Sequence, residues 1–457
     1  MNSMCYYPTY EEMLYPEKID NSCREKAIKA LKKDELNSIN LFNITWKDKS
    51  NKVRKLVLPK ELTGVNANIL VLLGNDFPSG SHKVGPAYAT LIESYLDGNM
   101  IPGKHTLLAP STGNFGIGAA YICKLMGYDS IVVMPENVSN ERHERIKKYG
   151  GKLSLTPPSE SDVIFTLEKT YELAKNNSNY RVLAQFEFFS NYRFHRYVTG
   201  NSAIEAAKNI GNGKIACFCS APGSGGTLAA GDEIKKVFSQ CQVTAVEPFE
   251  CSTLSNGRRG QHRIEGIGDK MCTLIHNVLN TDYIACIKEK EAMLGFKILH
   301  DYGKALEEVG VSSKLAQYMK NIFGPSGICN ILGAIKMAKY LNLGSDDNVV
   351  TIATDGFDRY GSVLKKLNKE FKEDNNSTVK QWIKDVFLNQ DINEIYDFRS
   401  SEAKERLYKQ KEKDWLHFGH SKEYLDSMRT MNFWDREYVK INDYNEKIKK
   451  FRNKHMI

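Results

Sequence analysis

No uncharged apolar stretch of membrane-spanning length occurs in the 457 residues, and the opening MNSMCYYPTYEEMLYPEKID lacks a basic region followed by a long apolar run. A cytoplasmic location without a membrane partner is therefore expected. Cysteine is present but unorganised. The ten residues lie scattered, and the tightest pair, Cys217 and Cys219, has neither zinc-knuckle nor redox-motif spacing. Reduced, mostly buried thiols in a reducing compartment are the simplest account. A clustered basic stripe is also missing. The formal charge of +8 arises from 63 Lys and Arg interleaved with 55 Asp and Glu, a balance suited to a solvated surface or an anionic ligand rather than nucleic acid. His417 and His420 form an H-x-x-H in the Lys/Glu-rich tail, where a solvated helical face is expected and no metal.

What is present reads as an ordinary globular chain, 41% apolar and 26% charged, long enough for two or three compact units. From about residue 50, short apolar runs alternate with longer helix-like stretches, the pattern of an α/β protein with parallel strands. The runs include NILVLL (68–73), HTLLAP (105–110), SIVVMP (130–135), KIACFC (214–219), QVTAVE (242–247) and VVTIAT (349–354). Between them stand GPAYATLIESYLDG, GIGAAYICKLMG and TLAAGDEIKKVF, with apolar residues near three-to-four spacing. A doubly wound body follows, whose ligands belong at the carboxyl ends of the strands. Beyond about residue 365 the chain turns Lys/Glu-rich, yet Trp382, Trp415 and Trp434 argue that this helical tail packs on something.

Four short motifs carry chemistry, and each also has a plain structural reading. Pro78-Ser79-Gly80-Ser81-His82-Lys83 presents a lysine among small residues just before a helix. A ligand can approach it closely, and partial desolvation would lower its pKa toward a Schiff-base amine; the plain reading is a surface lysine in a turn. Ser111-Thr112-Gly113-Asn114-Phe115-Gly116 offers hydroxyls, backbone N–H groups and a helix start to a carboxylate, and would serve as an N-capping turn in any case. Gly223-Ser224-Gly225-Gly226-Thr227 sits between a strand and a helix, the arrangement of a phosphate cradle. Ser326 in Gly324-Pro325-Ser326-Gly327 is by default an N-cap. A dinucleotide site competes for the glycine turn, with Glu247 as its acid. The G-x-G-x-x-G spacing fails at Leu228, and no GK[ST] follows for a Walker loop.

In that order the motifs resemble the fold type II pyridoxal-phosphate enzymes, the tryptophan synthase β superfamily, over roughly residues 50 to 365, most closely the cysteine synthase-like branch. The resemblance implies two doubly wound α/β domains with an appended C-terminal helical segment. It divides the chain into an N-terminal segment (1–50), a large cofactor-binding domain (51–90 plus 201–365), a small domain (91–200) and an extension (366–457). It implies pyridoxal 5'-phosphate held as an internal aldimine by Lys83, with Asn114 against the 3'-oxygen, Gly223 through Thr227 around the phosphate, and Ser326 facing the pyridine nitrogen. Ser111, Thr112, Gly113, Asn114 and Gln185 would hold the substrate carboxylate. Weaker echoes are Phe186, Asn191, Thr199-Gly200 and Ile264 through Gly268. Gly-Ser-His-Lys is closer to tryptophan synthase β chains, which implies that His82 contacts the phosphate. Phe115 replaces the usual Thr, and Asp355-Gly356 replaces a Ser-Gly; both leave the exact substrate open.

The activity implied is β-replacement or β-elimination on serine, O-acetylserine or cysteine, through an external aldimine and an aminoacrylate, with Lys83 as general base. A neutral hydroxyl at the pyridine nitrogen weakens the electron sink and suits β-elimination over transamination. The alternatives are a serine/threonine dehydratase or cysteine desulfhydrase at the same site, a non-catalytic regulatory protein of this fold, and an NAD-binding oxidoreductase. The family also implies a homodimer.

Overall fold

The structure is a computed structural model that describes residues 6–111, 113–157, 163–373 and 375–455. Two sheets organise it. The larger contains β1 (Lys55–Leu58), β2 (Asn68–Leu73), β7 (Ile215–Ser220), β8 (Gln242–Pro248), β9 (Tyr283–Ile287), β10 (Asn348–Ala353) and β11 (Ile395–Asp397), in the order β1-β2-β10-β7-β8-β9-β11. Its five inner strands are parallel, and β1 and β11 close the edges in antiparallel pairing. The smaller sheet is parallel throughout, with β3 (Thr106–Pro110), β4 (Asp129–Pro135), β5 (Lys152–Thr156) and β6 (Tyr180–Val182) in the order β5-β4-β3-β6.

The apolar runs follow from burial of both sheet faces, because a strand covered on each side has no reason to alternate with polar residues. In β2, Leu70 and Leu72 point into one core while Ile69, Val71 and Leu73 point into another. The first core also takes Leu107, Ala109, Val132 and Met134 from the small sheet, so it lies between the sheets and joins them. The helices Val84–Leu96 and Asn114–Met126, expected to be amphipathic, are buried on nearly every side. Their glycines and alanines permit the close packing that such burial requires.

The tail beyond residue 365 is mainly helical, including Ser401–Leu416, Lys422–Ser427 and Met431–His455, and contributes β11 to the large sheet. Trp415 and Trp434 are fully buried in a cluster with Phe186, Phe189 and Tyr192, and Trp382 packs edge-on against Tyr302 and Phe371. The last helix reaches the first: Asn445 Oδ1 accepts from Tyr10 N at 2.8 Å, and Arg452 pairs with Glu12 at 2.8 Å. No helix among the described residues is long and apolar enough to cross a membrane. The nine described cysteines are all unpaired thiols, and eight are buried.

Candidate active site

The carboxyl ends of β2, β3, β7 and β10 converge on one cavity, as expected for ligand sites in open α/β sheets. The loop after β2 delivers Lys83 as the residue that opens the helix Val84–Leu96. Its Nζ donates to Gln185 Oε1 at 3.3 Å and to Ser224 Oγ at 3.4 Å, both long contacts. Burial lowers the amine to about 8, and the nearby charge of Asp269 opposes the shift.

The loop after β3 brings Ser111, Gly113, Asn114 and Phe115 to the same cavity; Thr112 lies outside the described residues. Ser111 Oγ accepts from Gly113 N at 3.0 Å and Gly116 N at 2.8 Å, so it shapes this turn itself. A Cβ on Gly113 would lie 2.1 Å from the Arg142 guanidinium, hence the glycine. The turn after β7 adds Gly223 and Ser224, with Gly225 at φ +77, and Ser326 enters buried from the first turn of the helix Pro325–Tyr340.

Gly226 faces a polar wall. A Cβ there would meet Asn191 Oδ1 at 2.2 Å and His195 Cδ2 at 2.9 Å. His195 and Thr199 lie in a π turn, a local widening often found at functional sites. Trp46 Nε1 donates to Thr199 Oγ1 at 2.9 Å, and Thr199 Oγ1 faces His195 Nδ1 at 2.9 Å. The tautomer that completes this chain carries its hydrogen on Nε2, an assignment made from the hydrogen bonding. His82 stacks on Trp46 and meets His195 edge-on, so His195 rather than His82 lies against the glycine turn. Burial, with the Lys83 charge nearby, pushes His82 down to about 3.

A second group of residues joins Asn114, Asp355 and Glu265, which the sequence motifs include, to Arg142, Arg359 and Tyr360, which carry no local sequence signature. Asn114 Nδ2 donates to Asp355 Oδ2 at 2.6 Å, and Arg359 Nη1 donates to Asn114 Oδ1 at 2.6 Å. Tyr360 Oη donates to Asp355 Oδ2 at 2.7 Å and accepts from Arg142 Nη2 at 2.8 Å; Arg142 pairs with Glu265 at 2.8 Å. All six side chains are buried, and the network ties the small-sheet side to the large. Asp269 and Thr354 also line the cavity. Glu247, the acid of the dinucleotide alternative, is buried and accepts from Leu254 N, Ser255 N and Ser255 Oγ, so it caps a helix start. His417 Nε2 contacts Glu168 at 2.8 Å, and His420 stacks on Tyr424.

The pyridoxal-phosphate dependent enzyme family model matches residues 55–355, two thirds of the chain and every strand that lines the cavity. The chain belongs to this family. Among the relatives of this pyridoxal-phosphate enzyme, the cysteine synthase of Staphylococcus aureus is 33% identical over 296 residues, 64% of this chain and 87% of the relative. Its fold is similar to that of O-acetyl serine sulfhydrylase isoform 3 from Entamoeba histolytica, with TM-score 0.60, 28% identity, and coverage of 73% of this chain and 93% of the other. It is also similar to a hydrogen sulfide-producing enzyme from Fusobacterium nucleatum, with TM-score 0.58, 26% identity, and coverage of 75% and 95%. The protein is thus a cysteine synthase-like enzyme of fold type II, and pyridoxal phosphate is its cofactor.

The residues present fit that cofactor. Among the described residues, His195 Nε2 is buried beside Gly226 without a hydrogen-bond partner. Such a group is costly unless a ligand or water meets it. A buried donor on His195 beside a glycine turn suits a phosphate, and the buried amine of Lys83 suits a carbonyl compound.

Proposed function

We propose that the chain catalyses β-replacement on a small amino acid, with O-acetylserine, serine and cysteine as the candidate substrates. The observation that carries this reading is the buried Lys83 amine, held near pH 8 in one cavity with the Ser111–Asn114 loop and the glycine turn. Lys83 would hold the cofactor covalently. Gly223, Ser224, Gly225, Gly226 and Thr227 would hold its phosphate, with His195 beside them and His82 behind. Asn114 would lie beside the ring oxygen, and Ser326 would offer the pyridine nitrogen a neutral hydroxyl. Ser111, Thr112, Gly113, Asn114 and Gln185 would bind the substrate carboxylate.

Bound pyridoxal phosphate supplies an electron sink for the substrate's α-carbon. The chain's own part is proton handling and geometry. With the cofactor bound, Lys83 Nζ would be placed to take the α-proton. Gln185 and Ser224, in contact with Nζ, would orient that amine. Phe115, 1% exposed, closes one wall against water. With O-acetylserine and sulfide the products would be cysteine and acetate.

A second reading is elimination, with cysteine and water giving pyruvate, ammonia and sulfide. The likeness to a hydrogen sulfide-producing enzyme favours it. We also read the protein as a cytoplasmic homodimer. The deciding experiment compares wild type with Lys83→Ala. Wild type should show the visible absorbance of covalently held pyridoxal phosphate, which borohydride fixes to residue 83, and the variant should not. Cysteine formed from O-acetylserine and sulfide marks replacement, pyruvate and ammonia formed with sulfide from cysteine mark elimination, and absence of both with bound cofactor rejects the reading.

A further inference from the structure

Residues 270–277 cross behind the glycine turn as irregular backbone with no helix or strand to satisfy them. Buried backbone of this kind must find partners elsewhere. Here they come from the carboxyl-terminal helix Ser401–Leu416, outside the family match, which ends at residue 355. Asp414 Oδ2 accepts from Cys272 N at 2.9 Å, Trp415 Nε1 donates to Cys272 O at 2.8 Å, and Lys411 Nζ donates to His276 O at 2.7 Å. The three side chains are buried, and their spacing sets them on one helix face. Lys411 has no carboxylate within ion-pair distance among the described residues; the His276 carbonyl and the Trp434 ring, 5.1 Å from its nitrogen, are what it has instead.

The loop passes this support on. Thr273 Oγ1 donates to Ser224 O at 2.8 Å, and at Gly225 a Cβ would lie 2.7 Å from Thr273 Oγ1 and 3.1 Å from His276 Cβ. Ile275 N donates to Phe186 O, beside Gln185. Ser224 and Gln185 are the two residues that contact Lys83 Nζ. A short chain of contacts thus leads from the extension to the lysine.

We propose that the extension belongs to the active site: Asp414, Trp415 and Lys411 are positioning residues that hold loop 270–277, and so the glycine turn, in its cofactor-binding shape. This rests on the reading of Gly223–Thr227 as the phosphate turn. The test titrates cofactor-free wild type and variants with pyridoxal phosphate, reading visible absorbance for affinity and circular dichroism for folding. Asp414→Ala, and Trp415→Phe, which keeps most of the ring packing, should each weaken binding by about tenfold or more, the effect of losing a buried hydrogen bond. Asp414→Asn retains an acceptor for Cys272 N and should stay within about threefold of wild type. Tyr408→Phe, which removes the bond from Tyr408 Oη to Met428 O inside the same extension, should bind as wild type does. Unchanged affinity in folded Asp414→Ala and Trp415→Phe, or an equal loss in Tyr408→Phe at matched thermal stability, overturns the proposal. Failure of wild type to bind overturns the reading of the turn, and the proposal with it.

Discussion

Burial brings the Lys83 amine to about 8, against 10.5 for an unperturbed lysine, and that difference works against the folded chain. A base whose folded pKa is depressed opposes folding fully below its folded value and not at all above its unfolded one. Lys83→Met should therefore stabilise the cofactor-free protein by about 3 kcal/mol at pH 7. The gain should fade from about pH 8 upward and vanish above about 10.5. Denaturant melts of both forms across pH check this, and a variant less stable at pH 7 would contradict it. Such a trade of stability for chemistry is common where a reactive group must stay desolvated. At this scale much of the cavity was legible, since Lys83, Ser111, Gly113, Asn114, Gln185, Gly223, Ser224 and Ser326 all reach it. Arg142, Arg359 and Tyr360 carried no motif of their own; only the fold brings them to Asn114, Asp355 and Glu265.

The glycine turn shows what an element contributes beyond its residues. Gly226→Ala would set a Cβ 2.2 Å from Asn191 Oδ1 and push it against the wall that faces the turn. Gly303, which begins a helix, has nothing within 4 Å of its added Cβ. Gly226→Ala should thus lose most cofactor affinity while Gly303→Ala keeps it, as a pyridoxal phosphate titration would show; equal affinities would mean that the turn yields. The six apolar runs read as strands are all strands, because strands buried on both faces announce themselves. The short half-exposed strands β1, β5, β6 and β11 carry no such run. β9 is a five-residue apolar stretch, too short for periodicity to tell from a piece of helix.

For the molecule as a whole, the tryptophans foretold that the tail packs, but not onto what, since a composition signal names no partner. Trp415, Trp434, Leu425, Met428 and Phe433 cover Phe186, Phe189, Tyr192 and Ile275, which a chain ending at residue 399 would expose. Thermal melts of the full chain should show cooperative unfolding. The shortened chain should aggregate or melt without a sharp transition. A soluble, cooperatively folded short form would show that the two sheets need no cover.

The bond between Tyr10 and Asn445 spans 435 positions. Contacts of such separation recover their loop-closure entropy only after the intervening chain has become compact. The two ends therefore meet late in folding. The wall behind the glycine turn, whose bonds span 135, 142 and 143 positions, closes across far shorter loops, so cofactor capture should precede the docking of the two chain ends rather than wait for it.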